Sequence, residues 1–180
     1  MIANLLIATG ELIHPSIGPT RTENDFAEHI QQTVASDPLA HWVFIVDQLN
    51  THKSASLVEW VAIQIQDQQD LGKKGKEGIL KSMETRMNYL MDSDHRIRFA
   101  YTPKHCSWLN LIEGWFSVLH RRVLKRGNFK SLKDLKQKMF AYIDYHNKRW
   151  AKKINWATCK KKDVQELIKK VKRMVSKFTG

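Results

Sequence analysis

The run His41-Trp42-Val43-Phe44-Ile45-Val46 restricts the fold of this chain more than any other segment. It is almost continuously apolar and rich in β-branched side chains, the composition of a central strand covered on both faces. Such a strand needs helices above and below it, which points to an α/β arrangement. With 180 residues, 42% of them hydrophobic, the chain can bury one good core and is short for two domains, so one globular unit is expected.

The segments on either side supply the remaining elements. Asn4 to Ala8 and Leu12-Ile13 read as two short strands around a glycine-containing tight turn. Thr22 is placed to cap a helix with apolar positions at Phe26, Ile30 and Val34, ending near Asp37-Pro38. After the buried strand, Ser54 to Ile65 has helical spacing at Leu57, Val58, Val61, Ala62 and Ile65. Gln66 to Lys76 is polar and glycine-interrupted and reads as a loop or insertion, followed by a helix over 78–91. Arg96 to Tyr101 alternates as a half-exposed strand does, and Pro103 stops it. Trp108, Leu111, Ile112, Trp115, Phe116 and Leu119 form one apolar helical stripe, and both tryptophans read as core. Ser131 to Asp134 resembles a capping box opening a further helix, and a last amphipathic helix carries Val164 to Phe178. Strands alternating with helices and then helices alone imply α/β with a C-terminal helical layer.

Charge is segregated along the chain. Residues 1–113 hold 10 Lys and Arg against 14 Asp and Glu, a balance of −4, and residues 114–180 hold 20 against 4, a balance of +16. A surface that only needs solubility mixes both signs, so this block points to a polyanion, either nucleic acid or an anionic membrane. The apolar faces are needed for the core, which disfavours the membrane. No apolar run approaches the eighteen or so residues of a span, and Met1 to Gly10 lacks the order of a signal peptide, so a cytoplasmic protein is expected. Cys106 and Cys159 are far apart without a CxxC partner and suggest neither a disulfide framework nor a zinc site.

Two acids stand where chemistry is placed. Asp47 ends the buried strand, the position at which α/β sheets present catalytic groups, though a strand-end Asp also caps turns. Glu113 lies off the apolar stripe near a helix start, where the helix dipole alone favours an acid. Carboxylates converging from neighbouring elements suit magnesium, which prefers oxygen ligands and in pairs clamps the attacking and leaving oxygens of phosphoryl transfer. Glycoside hydrolysis also uses two acids but leaves the +16 block unexplained.

Val43 to His52 resembles the second-aspartate strand and following loop of bacterial insertion-sequence transposases of the Tc/mariner type, the insertion sequence 630 group of the DDE superfamily. Tyr101 to Phe116, with Pro103, Ser107, Leu109-Asn110, Ile112-Glu113 and Trp115-Phe116, resembles their third-carboxylate motif, and the likeness continues through Arg121-Arg122 and Phe129 to Leu135. The resemblance implies a ribonuclease H-like mixed sheet flanked by helices. It also implies metal-dependent DNA strand cleavage and strand transfer by three acids holding two Mg2+ (or Mn2+) ions. By position Asp47 is the second acid and Glu113 the third, with Asn110, His52 and Asn50 supporting the site; His52 equally suits a structural hydrogen bond. Arg121, Arg122, Lys125, Arg126 and Lys160, Lys161, Lys162 are the candidate DNA-phosphate contacts. Implied partners are transposon ends and target DNA, a homodimer, and an upstream half encoded separately; the implied location is the nucleoid.

Two departures accompany the likeness. Gln48 replaces the usual Asn. No residue matches the family's first aspartate, which lies on a strand upstream of the hairpin, so an N-terminally truncated fold is expected, and Asp25 at a helix start is a poor substitute. The 66 residues from Asp47 to Glu113 are also long for the type, which we assign to an insertion at 66–91. On this reading 1–150 is a partial catalytic domain and 151–180 a basic helical extension packed on it. The alternative is a catalytically inactive remnant that only binds DNA.

Overall fold

The computed structural model describes residues 1–103, 110–154 and 162–176. Strands β1 (Ile2–Leu5) and β2 (Leu12–Ser16) form an antiparallel hairpin. Gly10 is required in its turn on two counts. Its φ is 77°, and a Cβ there would lie 2.2 Å from the carbonyl oxygen of Lys152. Helix α1 (Glu23–Ala35) starts at Thr22, whose hydroxyl accepts from the Asp25 N–H while Asp25 accepts from the Thr22 N–H. This reciprocal cap is worth about 1 kcal/mol. The helix buries Phe26, Ile30 and Val34, spaced four residues apart along one face.

Strand β3 (Trp42–Val46) leads through a 3₁₀ turn (Asn50–Lys53) into α2 (Ala55–Ile65), capped by Ser54. Leu57, Val58 and Val61 of α2 are completely buried. The expected helix from residue 78 is shorter: α3 spans Met83–Leu90, and Ser82 is its cap. Gly78 has a φ of 68°, a left-handed conformation outside any right-handed helix.

Strand β4 (Ile97–Tyr101) pairs with β3 in parallel, setting Trp42 against Ile97, Phe44 against Phe99 and Val46 against Tyr101. All five β4 residues are buried, so the expectation of a half-exposed strand is corrected. The alternation that suggested exposure came from Arg96 and Arg98. Arg98 is in fact enclosed, its guanidinium donating to the Ser93 carbonyl.

The chain continues with α4 (Leu111–Leu119), a π-helical turn (His120–Leu124) and α5 (Leu132–Arg149), which Ser131 caps through the Asp134 N–H. Helix α6 (Lys162–Ser176) packs against β3 and β4 and buries Ile168. Two cores result. One joins α1, α2, α3, β3 and β4; the other joins Leu12 of the hairpin to Trp115, Leu119, Met139 and Ile143. Trp115 is therefore core, as its place on the apolar stripe implies; Trp108, Cys106 and Cys159 lie outside the described residues. The fold is mixed α/β, and among the described residues its hairpin and its parallel pair remain two separate two-stranded sheets. No described helix is long and apolar enough to cross a membrane.

Candidate active site

Asp47 is the first residue past β3, and the ladder reaches up to it, since the Thr102 N–H donates to the Val46 carbonyl at 2.9 Å. Its backbone therefore leaves the buried pair at a fixed point. Its carboxylate Oδ1 meets His52 Nδ1 at 2.9 Å and accepts the Leu49 N–H at 3.1 Å. The bond from His52 holds the Asp47 carboxyl below its usual range, against an opposing effect of partial burial. Asp47 is thus an ionised acid with one oxygen committed, and no described hydrogen bond engages Oδ2.

His52 is itself held in place. Its ring lies 4.2 Å from the Phe26 ring of α1, and its carbonyl accepts the Tyr101 hydroxyl at 2.7 Å. Gln48 spans the two strand ends: its amide donates to the Thr102 carbonyl at 2.7 Å and accepts Lys53 Nζ at 2.6 Å. Lys53 also sits 5.4 Å over the Tyr101 ring. Buried or half-buried and hydrogen-bonded, these groups keep the loop from changing shape around the acid. Sequence reasoning treated Gln48 only as a departure from a motif and missed Phe26, Lys53 and Tyr101. Of these, the aromatic pair was readable only as core, and nothing in the sequence tied Lys53 to a residue five positions back.

Glu113 lies in the first turn of α4, where its N–H donates to the Asn110 carbonyl at 3.0 Å and its side chain is exposed. It borders an open depression with Phe116, Ser117, His120 and Arg121, so one helical face carries both an acid and a cation. Asn110 is the N-cap residue of α4, but its side chain makes no capping hydrogen bond. Asn50 is exposed at the start of the 3₁₀ turn. Arg121, Arg122, Lys125 and Arg126 are all exposed along the π-helical turn and just beyond it. Lys162 opens α6, and Lys160 and Lys161 lie outside the described residues.

The structure therefore brings Asp47 to His52 and sets Glu113 and Arg121 around one open depression. No described hydrogen bond or ion pair joins Asp47 to Glu113, and among the described residues no group of three or more His, Cys, Asp or Glu is placed to hold a metal. The chain from β4 to Glu113 passes through residues 104–109, outside the described residues.

No curated protein and no solved structure gives a significant match to the chain. A family model, the DDE superfamily endonuclease, matches residues 3–136, a span that takes in the hairpin, the Asp47 loop, Glu113 and the first turn of α5. Endonucleases of this superfamily act on DNA, which accords with a basic block that begins directly after Glu113. A match over that much of the sequence establishes that the chain belongs to the DDE superfamily endonucleases.

Proposed function

We propose that this protein is the catalytic domain of a transposase of the insertion-sequence, Tc/mariner-like group, cutting DNA strands and transferring them during transposition, with Asp47 and Glu113 as two of its three acids. The observation that carries the proposal is the state of Asp47, an ionised carboxylate fixed at the end of a half-buried parallel strand inside the family match. Its Oδ2, which no described hydrogen bond engages, and the Glu113 carboxylate are hard oxygen donors of the kind Mg2+ or Mn2+ takes. Bound there, two such ions would supply Lewis acidity and lower the pKa of an attacking water or DNA 3′-hydroxyl. The chain's own part is narrower. His52 and the Leu49 N–H keep Asp47 deprotonated and aimed, and Arg121, which lines the same depression as Glu113, offers a cation to a DNA phosphate.

In this reading the fold is ribonuclease H-like, and the two separate sheets are parts of one mixed sheet. A further strand, ending in the first acid, lies between β1 and β3 and is encoded upstream. Supporting this, Asn147 takes the outer edge of β2, and no described strand pairs with the free side of β1 or of β3. Homodimerisation and nucleoid association belong to the same proposal. The lack, among the described residues, of any group of three or more His, Cys, Asp or Glu placed to hold a metal favours a second reading, a DNA-binding remnant without activity.

A nicking assay on supercoiled DNA decides between them. We expect the chain alone to cleave little or nothing with Mg2+ or Mn2+, and an added upstream segment carrying an Asp-terminated strand to restore cleavage. Asp47→Asn then abolishes it. If the chain alone cuts DNA and Asp47→Asn still cuts, the assignment of the site is wrong; if no upstream segment restores cleavage, the remnant reading stands.

A further inference from the structure

Residues 66–82, of which 66–76 read in sequence as a polar loop and 78 onward as a helix, form a pinned turn. Its base is held in the core by Leu71, Ile79 and Leu80, with the Leu80 N–H donating to the Leu71 carbonyl at 3.0 Å. Its neck is an antiparallel bridge in which the Lys73 N–H donates to the Glu77 carbonyl at 3.1 Å and the Glu77 N–H donates back at 3.2 Å. Gly72 makes this closure possible: its φ is 77°, and a Cβ would sit 2.3 Å from the Glu77 carbonyl oxygen. The tip displays Lys73, Lys74 and Lys76, all exposed, in the half of the chain whose overall balance is acidic.

The tip is also tethered near Asp47. Lys74 Nζ lies 3.5 Å from Glu23 in the first turn of α1. Phe26, one turn further along α1, packs on His52, which holds Asp47. These contacts connect the tip to the Asp47 loop through a single turn of α1.

We infer that the turn carrying Lys73, Lys74 and Lys76 is a second DNA-backbone contact, gripping phosphates beside the Asp47 loop independently of the C-terminal basic segment. The inference rests on the DNA-cutting reading above. Three features favour DNA binding over a merely solvated face. The three cations project from a pinned base, so less conformational freedom is given up on binding than for a floppy loop. The Lys74–Glu23 pair is exposed on both sides and so contributes little, and a phosphate can replace it at small cost. The tip is linked through α1 to Asp47, a candidate catalytic acid that His52 and the Leu49 N–H hold in place.

The test is duplex binding by the full chain, measured by fluorescence anisotropy across a salt series. Removing one lysine–phosphate interaction lowers the log–log salt slope by about 0.9, so a Lys73→Gln, Lys74→Gln, Lys76→Gln triple variant is expected to reduce the slope by about 2 to 3. The matching Lys→Arg triple variant is expected to keep the wild-type slope. An unchanged slope in the Gln variant, or an equal reduction in the Arg variant, overturns the inference. The same titration with Arg121, Arg122, Lys125 and Arg126 replaced by Ala separates the two failures. If that variant has a reduced slope and the Gln triple does not, only this inference falls; if neither slope is reduced, the DNA reading falls with it.

Discussion

His29 should make this protein acid-sensitive well above the pH at which its carboxylates titrate. It sits on the inner face of α1 at 1% exposure, with Nδ1 3.4 Å from the Ser16 hydroxyl and no hydrogen-bond partner for Nε2 among the described residues. Burial, reinforced by the charge of His14, lowers its pKa from 6.5 to about 4. The unfolded chain therefore takes up a proton near pH 6.5, and the folded chain does so only near pH 4. Protonation in that window favours unfolding: the stability is fully present above pH 6.5 and is lost as pH falls towards 4. At about 1.4 kcal/mol per pH unit, the full loss approaches about 3 kcal/mol, with about 2.5 kcal/mol gone by about pH 4.5. That is a large share of the 5 to 15 kcal/mol typical of a folded domain. Urea unfolding followed by tryptophan fluorescence at about pH 7.5 and about pH 4.5 measures it on the wild type and on His29→Leu. The variant has nearly the same volume and no titrating group, so at neutral pH it should lie within about 1.5 kcal/mol of the wild type. Asp25, Asp47, Asp67 and Asp134, all held below the usual carboxylate range, lose their stabilising effect only at lower pH and equally in both proteins. Parallel losses in wild type and variant between the two pH values would refute the argument.

Three further outcomes are expected. Leu57→Ala, at a completely buried position of α2, should cost about 2 to 5 kcal/mol in the urea midpoint analysis, through a cavity in the larger core. Gly10→Ala should cost about 1 to 3 kcal/mol and loosen the packing of the hairpin turn on residues 151–154, seen as faster amide exchange at Ile154, whose N–H donates to the Ile7 carbonyl. Ser131→Ala should lower stability by about 1 kcal/mol by uncapping α5, and Ser131→Asp should retain it.

The elements with strong local signals were legible in the sequence. Thr22, Ser54 and Ser131 each cap the helix they were placed to open or precede, because a hydroxyl at that position satisfies an otherwise unpaired N–H whatever the tertiary fold. The strand ending at Asp47 was readable for a similar reason, since an apolar run needs cover, although only Phe44 and Val46 are fully buried and Trp42, Val43 and Ile45 are half-buried. Arg98 misled because alternation of charge along a strand indicates exposure only where no covering layer takes up the charged group; here Ser93 and the surrounding layers enclose the guanidinium. The bracket around Asp47 was illegible because its members come from α1, the 3₁₀ turn and β4, and only the parallel register makes Gln48 a neighbour of Thr102. The π-helical turn at His120 left no periodic trace either, since a wider turn shifts the apolar stripe by less than one position over so short a stretch.

The Asn147 side chain has a consequence for how copies of this protein behave in a crowded solution. A carboxamide offers one donor and one acceptor at nearly the spacing of a peptide group, and Asn147 uses both on Leu12, from a helix 135 positions away in the chain. It acts as a one-residue stand-in for a neighbouring strand. Edge strands invite edge-to-edge association, and proteins blunt them with charges, prolines or covering elements. Here β2 has both a proline, Pro15, and this amide plug, so intermolecular stacking through that edge is obstructed. Hairpin recruitment of foreign backbone is thereby made one-sided, and Asn147→Ala should convert a directional edge into an adhesive one, visible as concentration-dependent turbidity on mild heating.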